Sequence, residues 1–127
     1  MTSLQAEANR RFKYSAQQTL DIIQSLYEKY KMLTYPRTGS RYLGEDMREE
    51  VGNKIDRLKV LRFSNSFLDC IRYIYERSVS KAPFDNSKLT DHHAIIPTFH
   101  NIGEYDKLPT EHKNIYQLVC KQLVMAL

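Results

Sequence analysis

Proline falls at positions 36, 83, 97 and 109 and nowhere else in the 127 residues, and this placement constrains the fold more than any other feature. Proline has no N–H to give a helix, and it pushes the residue before it out of the α region. Long helices are therefore expected before Pro36, between Pro36 and Pro83, and after Pro109. Residues 80–109, broken by Pro83, Pro97, Gly103 and Pro109, read as loop-rich, with "HAII" as a possible short strand.

The permitted stretches carry helical periodicity. Thr2 to Phe12 reads as a short helix with Thr2 and Gln5 in capping-box spacing and Leu4, Ala8 and Phe12 on one face. Ser15 and Gln18 form a second capping box. Behind them Ala16, Leu20, Ile23, Tyr27 and Tyr30, with Ile22 and Leu26 beside them, make an apolar stripe. Lys13 and Tyr14 leave only a short joint between these helices, a spacing that suggests a helix-turn-helix, although most helix pairs bind nothing. A third helix is expected from about Gly44 to Asp46, where Glu45 and Asp46 favour an N-terminus, burying Met47, Val51, Ile55 and Leu58, with Gly52 weakening it. A fourth runs from Ser64 or Ser66 to Val79 with Phe67, Cys70, Ile71 and Ile74 inward. The last, Thr110 to about Met125, buries Ile115, Leu118, Val119 and Leu123. The expected class is mainly α, in a single domain over residues 1–127, long enough for a real core.

Charge is uneven along the chain. Residues 1–62 hold twelve Lys/Arg against eight Asp/Glu, whereas residues 63–127 balance at seven and seven. From Lys29 to Arg41 there are Lys29, Lys31, Arg37 and Arg41 and no acid. Such a zone suits a polyanion such as nucleic acid, or is simply a solvated basic surface. No apolar run approaches a membrane span, and Arg10, Arg11 and Lys13 interrupt anything resembling a leader peptide. Cys70 and Cys120 form no CxxC pair and are expected to be buried thiols in a reducing cytoplasm.

Within that basic zone lies "LTYPRTGSRYL", residues 33–43. In an extended segment, side chains two apart point the same way, so Tyr35 and Arg37 would share a face with backbones roughly 7 Å apart. Pro36 restricts both itself and Tyr35. A phenol beside a guanidinium could address one phosphodiester, oxygen to phosphorus, with the arginine clamping the non-bridging oxygens. Thr34, Thr38 and Ser40 could add neutral hydrogen bonds to neighbouring phosphates. A free tyrosine is ionised to about one part in a thousand at neutral pH, a deficit of roughly 4 kcal/mol. A nearby arginine recovers part of that. The plainer reading is an amphipathic tyrosine with a packed ring and a wet hydroxyl.

A second constellation is "LTDHHAIIPT", residues 89–98. Adjacent His92 and His93 face opposite ways in extended backbone and make a poor bidentate metal site, even with Asp91 as a third ligand. A histidine donating to a phosphate, holding a partner side chain, or satisfying a loop carbonyl are the readings left open.

Together the two segments carry a resemblance. "LTYPRTGSRYL" resembles the active-site segment of type IA DNA topoisomerases, and "DHHAIIPT" is similar to the histidine motif of their topoisomerase III branch. "LQAEANRRFKYSAQQTLDIIQSLYE" resembles the helix pair preceding that tyrosine, and "YQLVCKQLVMAL" the helix closing the domain. The resemblance implies a mostly helical, CAP-like helix-turn-helix domain with one or two short extended segments, docked against a separate Toprim domain. It implies that Tyr35 is the nucleophile toward single-stranded DNA, forming a 5′-phosphotyrosyl bond. Arg37 and His92 would act at the scissile phosphate, and Thr34, Thr38, Ser40, Arg41 and His93 would contact DNA. Strand passage and religation would need no ATP, because the phosphotyrosyl diester keeps the energy of the broken bond. Mg²⁺ would belong to the Toprim domain, with no metal or cofactor expected in this chain, and the setting would be a bacterial cytoplasm and nucleoid. The family usually reads "TYPRTDS"; here Gly39 replaces the aspartate and its carboxylate. No Toprim acidic cluster is present, so this stretch is expected to be one domain of a longer enzyme and inactive by itself. The alternatives are a non-catalytic helix-turn-helix DNA-binding module and a helical interaction domain with no nucleic-acid role.

Overall fold

The computed structural model describes residues 3–36, 38, 40–77, 79–89 and 92–127. Its α-helices are α1 (Ser3–Phe12), α2 (Ala16–Glu28), α3 (Met47–Lys54), α4 (Asn65–Arg77) and α5 (Thr110–Ala126). Short 3₁₀ helices cover Ile55–Leu61, Asn86–Lys88 and Ile102–Lys107. Among the described residues there is no strand, only two isolated bridges, so the mainly α expectation holds.

The α1–α2 hairpin forms as its punctuation dictates. Lys13 takes a left-handed φ of 63°, which turns the chain while its N–H still reaches the Asn9 carbonyl at 3.0 Å. Ser15 then caps α2, its Oγ accepting from the Gln18 N–H at 3.0 Å and satisfying one orphan donor of the first turn. The other expected cap, Thr2, lies outside the described residues. Gln5 donates to the Ala16 carbonyl at 3.1 Å, fastening α1 to the start of α2. Asn114 of α5 donates to the Tyr14 hydroxyl at 3.0 Å and holds the joint against the last helix.

α5 is the central element, packed against α2, α1 and α4. Its inward face is broader than the expected four residues: Tyr116, Cys120 and Val124 are buried beside Ile115, Leu118, Val119 and Leu123. The α2 stripe is centred differently from the sequence expectation. The buried residues are Thr19, Ile22, Ile23 and Leu26, while Ala16, Leu20 and Tyr27 lie half-buried at the margins. A threonine in the middle of the seam is what shifts the apparent stripe.

Three further expectations are corrected. Cys70 is exposed, not buried. The α4 stripe through Phe67, Ile71 and Ile74 is narrow, so the flank carrying Cys70, Tyr73 and Tyr75 faces solvent. The third helix does bury Val51, Ile55 and Leu58, yet from Ile55 onward it tightens to 3₁₀ geometry and stops at Arg62 in the left-handed region (φ 49°). Glu45 precedes the helix and serves a distant loop instead of the helix terminus. Its carboxylate accepts from the Asn86 N–H and its own N–H donates to Asn86 Oδ1, both at 2.9 Å.

The "HAII" stretch is extended without becoming a strand. Leu33 bridges Pro97 antiparallel, flanked by Thr34 N–H to Ile96 O at 3.0 Å and Thr98 N–H to Met32 O at 2.9 Å. With Pro97 on one side and Pro36 on the other, donors are missing from both edges and the ladder cannot lengthen. Ala94 N–H reaches Tyr42 O at 2.8 Å, and Leu43 bridges Phe84. The loop region is thus stitched to residues 32–43 at separate points, and that stitching builds the site.

Candidate active site

The approach to Tyr35 begins where α2 ends. After Glu28 the chain turns back through Lys31, held at φ 54°, and the Met32 N–H returns to the Leu26 carbonyl at 2.9 Å. A left-handed residue with a Cβ costs about 1–2 kcal/mol. What offsets it is burial: Met32 and Leu33 are 0% and 1% exposed. The turn also collects polar partners, since Thr98 Oγ1 donates to Lys31 O at 2.7 Å and Asn101 Nδ2 to the same oxygen at 3.0 Å.

Tyr35 follows immediately and lies at the surface, 36% exposed, between buried Leu33 and buried Pro36. Its ring is held by two others. His92 stacks on it with centroids 4.2 Å apart and planes 30° from parallel, and Tyr27 meets it edge-on at 5.7 Å and 88°. An anchored backbone with a surface phenol is an arrangement in which the hydroxyl can meet a large partner without the chain unfolding.

The remaining sequence candidates are distributed around this ring. Thr34 is half-buried and its hydroxyl accepts from the Ile96 N–H at 3.0 Å, so it fastens the segment. Thr38 Oγ1 donates to the His92 carbonyl at 3.4 Å and accepts from the Ser40 N–H at 3.1 Å. Ser40 Oγ is engaged with Tyr42, accepting from its N–H at 3.1 Å and donating to its carbonyl at 3.3 Å. Arg41 is exposed. A groove of about 460 Å³ is lined by Thr38, Ser40 and Arg41 with Ala94, Ile95 and Ile96, and by Leu4 of α1 and Leu123 of α5. Arg37 and Gly39 lie outside the described residues, and so does the expected sharing of a face by Tyr35 and Arg37.

The two histidines divide as their opposite facing predicts. His92 is exposed and engages Tyr35. His93 is half-buried with Nδ1 2.7 Å from the Ala94 carbonyl oxygen, so Nδ1 carries a proton there. That is the loop-carbonyl role left open by the sequence. Asp91 lies outside the described residues. Among those described, no group of three His, Cys, Asp or Glu is placed to hold a metal ion.

Tyr27 is the site residue that pattern reading missed. The sequence places it in an apolar stripe, and only the left-handed turn at Lys31 brings α2's last turn beside a residue eight positions later.

Comparison with known proteins agrees with the motif reading. A family model described as DNA topoisomerase matches residues 1–127. The chain is 39% identical to proteins named DNA topoisomerase 3 from Bacillus thuringiensis (strain Al Hakam) and Bacillus anthracis, in each case over 129 residues covering 100% of this chain and 17% of the relative. It is 33% identical to the DNA topoisomerase 3 of Bacillus subtilis (strain 168), with the same coverage. The chain therefore spans about a sixth of the length of the curated relatives it matches.

Proposed function

The chain belongs to the DNA topoisomerase family, and from that premise we propose that it is the tyrosine-bearing domain of a type IA, topoisomerase III-like enzyme. Tyr35 Oη attacks a phosphorus of single-stranded DNA. The Tyr O–P bond forms, the P–O3′ bond breaks, and the phenolic proton leaves as the departing 3′-oxygen gains one. The product is a 5′-phosphotyrosyl DNA and a free 3′-hydroxyl. Another strand passes through the gap, and the 3′-hydroxyl then reverses the reaction without ATP.

The observation that carries this reading is the Tyr35 ring itself, exposed at its surface face yet held by Tyr27 and His92. Arg37 is assigned to the non-bridging oxygens, by its motif position. His92 is assigned to the scissile phosphate, which its place against the Tyr35 ring favours. Exposed Arg41 borders the neighbouring groove, where successive phosphates are to run. Thr38 and Ser40 line the same groove with hydroxyls tied to His92 and Tyr42, and Thr34 and His93 are tied to Ile96 and Ala94, so these four support the segment more than they reach outward. Mg²⁺ takes oxygen ligands, mainly carboxylates, and the donors gathered at Tyr35 are ring nitrogens and hydroxyls already bonded to the loop. The metal is accordingly assigned to the Toprim domain of the complete protein, whose residues would hold it and where it would supply positive charge. The bacterial nucleoid is the corresponding setting.

The test uses the complete parent protein. Tyr35→Phe should abolish relaxation of negatively supercoiled DNA and the covalent adduct with a labelled oligonucleotide, and relaxation persisting at the parental level would reject the assignment. Salt-sensitive DNA binding with no adduct in the unaltered parent would favour a non-catalytic DNA-binding module instead. The 127-residue chain by itself should form no adduct.

A further inference from the structure

We propose that Tyr27 is a positioning residue for the Tyr35 nucleophile, an inference that rests on the reading above. Tyr27 belongs to neither the Tyr-Pro-Arg nor the His-His-Ala motif, and its ring meets that of Tyr35 at 5.7 Å and 88°. The two rings that hold Tyr35 differ in how they are supported. Tyr27 rides on the last turn of α2, a helix capped by Ser15 and seated in the core through Ile23 and Leu26, which are 2% and 0% exposed. His92 is exposed and belongs to no helix, its own carbonyl held by the Thr38 hydroxyl at 3.4 Å and the chain next pinned at Ala94, whose N–H reaches Tyr42 O. Wherever His92 shifts its ring to meet a phosphate, its stacking on Tyr35 loosens. Tyr27 is then the ring that still limits where the phenol can swing.

A tyrosine side chain has three χ1 wells, and a change of well carries the hydroxyl several ångströms. In-line attack needs the oxygen within about 3–3.5 Å of phosphorus. Losing one edge-on aromatic contact and gaining two further wells should slow adduct formation about three- to tenfold. DNA affinity should not follow, because Tyr27 acts on the nucleophile and the strand is gripped elsewhere.

The experiment uses the full-length parent under single-turnover conditions with a labelled single-stranded oligonucleotide. It measures the rate of adduct formation at saturation and, separately, Kd by anisotropy. Tyr27→Ala should lower the rate about three- to tenfold at unchanged Kd, and Tyr27→Phe, which keeps the ring, should restore it. Should the alanine variant fail to fold by circular dichroism, Tyr27→Leu keeps bulk at the site and removes only the aromatic contact, and should slow the step by a smaller factor, about threefold. An unchanged rate in the variant that folds, a loss confined to Kd, or a phenylalanine variant as slow as the alanine one would each overturn the proposal. Tyr35→Phe is run in parallel; if it still forms adduct, the underlying nucleophile assignment fails instead.

Discussion

Replacing Thr34 by valine tests how the site is held together. The two side chains have nearly the same shape, so the substitution removes one acceptor and little else. That acceptor takes the Ile96 N–H at 3.0 Å, and Ile96 is only 6% exposed. An orphaned buried N–H costs about 1–3 kcal/mol. Thr34 is half-buried, so some water can reach the gap, which places the expected loss near 1.5 kcal/mol. The neighbouring Thr34 N–H to Ile96 O bond is backbone-made and survives. With an unfolding entropy of about 2.1 cal/mol/K per residue, 127 residues give roughly 0.27 kcal/mol/K, so Tm should fall by about 6 °C. Far-UV circular dichroism melts of the chain measure this, and amide exchange at Ile96 should quicken about tenfold where opening is local. Thr98→Val is the useful comparison, because it removes a donor to the Lys31 carbonyl on an exposed residue that water can serve instead. A Thr34→Val melt within about 1 °C of the parent, with Ile96 equally protected, would refute the reasoning.

Ser15→Ala should destabilise the chain by about 1 kcal/mol through loss of the α2 cap, seen as a lower urea midpoint with an unchanged slope. A thiol reagent at mildly alkaline pH should modify Cys70 in the native chain and spare Cys120, whose burial pushes its thiol well above the usual range; full reactivity should require denaturant. Glu7 is held down to about 2 by hydrogen bonds from Arg10 and Arg11. Because the folded value lies below the unfolded one of about 4.3, this contribution is complete above that pH and fades as the pH falls toward 2. The stability difference between the parent and Glu7→Gln should therefore shrink across that window, and added salt should shrink it at neutral pH, since the pair is exposed. Tyr116→Phe should be neutral or stabilising, because among the described residues the buried hydroxyl finds no oxygen or nitrogen partner, and the Cys120 sulfur is the group beside it that could bond.

What could be read from the chain was what local chemistry decides. Ser15 three residues before Gln18, the absence of proline through residues 3–31, and the repeat of Ile115, Leu118, Val119 and Leu123 mark out α2 and α5 locally. Tyr35 and His92 stood out because proline and histidine are informative in short motifs. The relations between distant segments were not legible. Nothing local announces that Thr34 meets Ile96, that Glu45 pairs with Asn86, or that Lys31 adopts a conformation usually left to glycine. Tyr27 escaped for the same reason, since an aromatic residue at a helical stripe position looks like core. Cys70 was misjudged because an i, i+3, i+4 pattern does not tell how wide a stripe the neighbouring helices will cover.

Tyr35 sits between Leu33 and Pro36, both sunk into the protein, with Met32 and the end of α2 directly behind. A DNA end fastened to that phenol would be under tension whenever the gap opened. On the N-terminal side the pull would travel along a few peptide bonds into the interior shared by α2 and α5. Under the proposed function, such a mooring would let a severed strand be hauled apart and brought back to the same spot, as faithful resealing would demand.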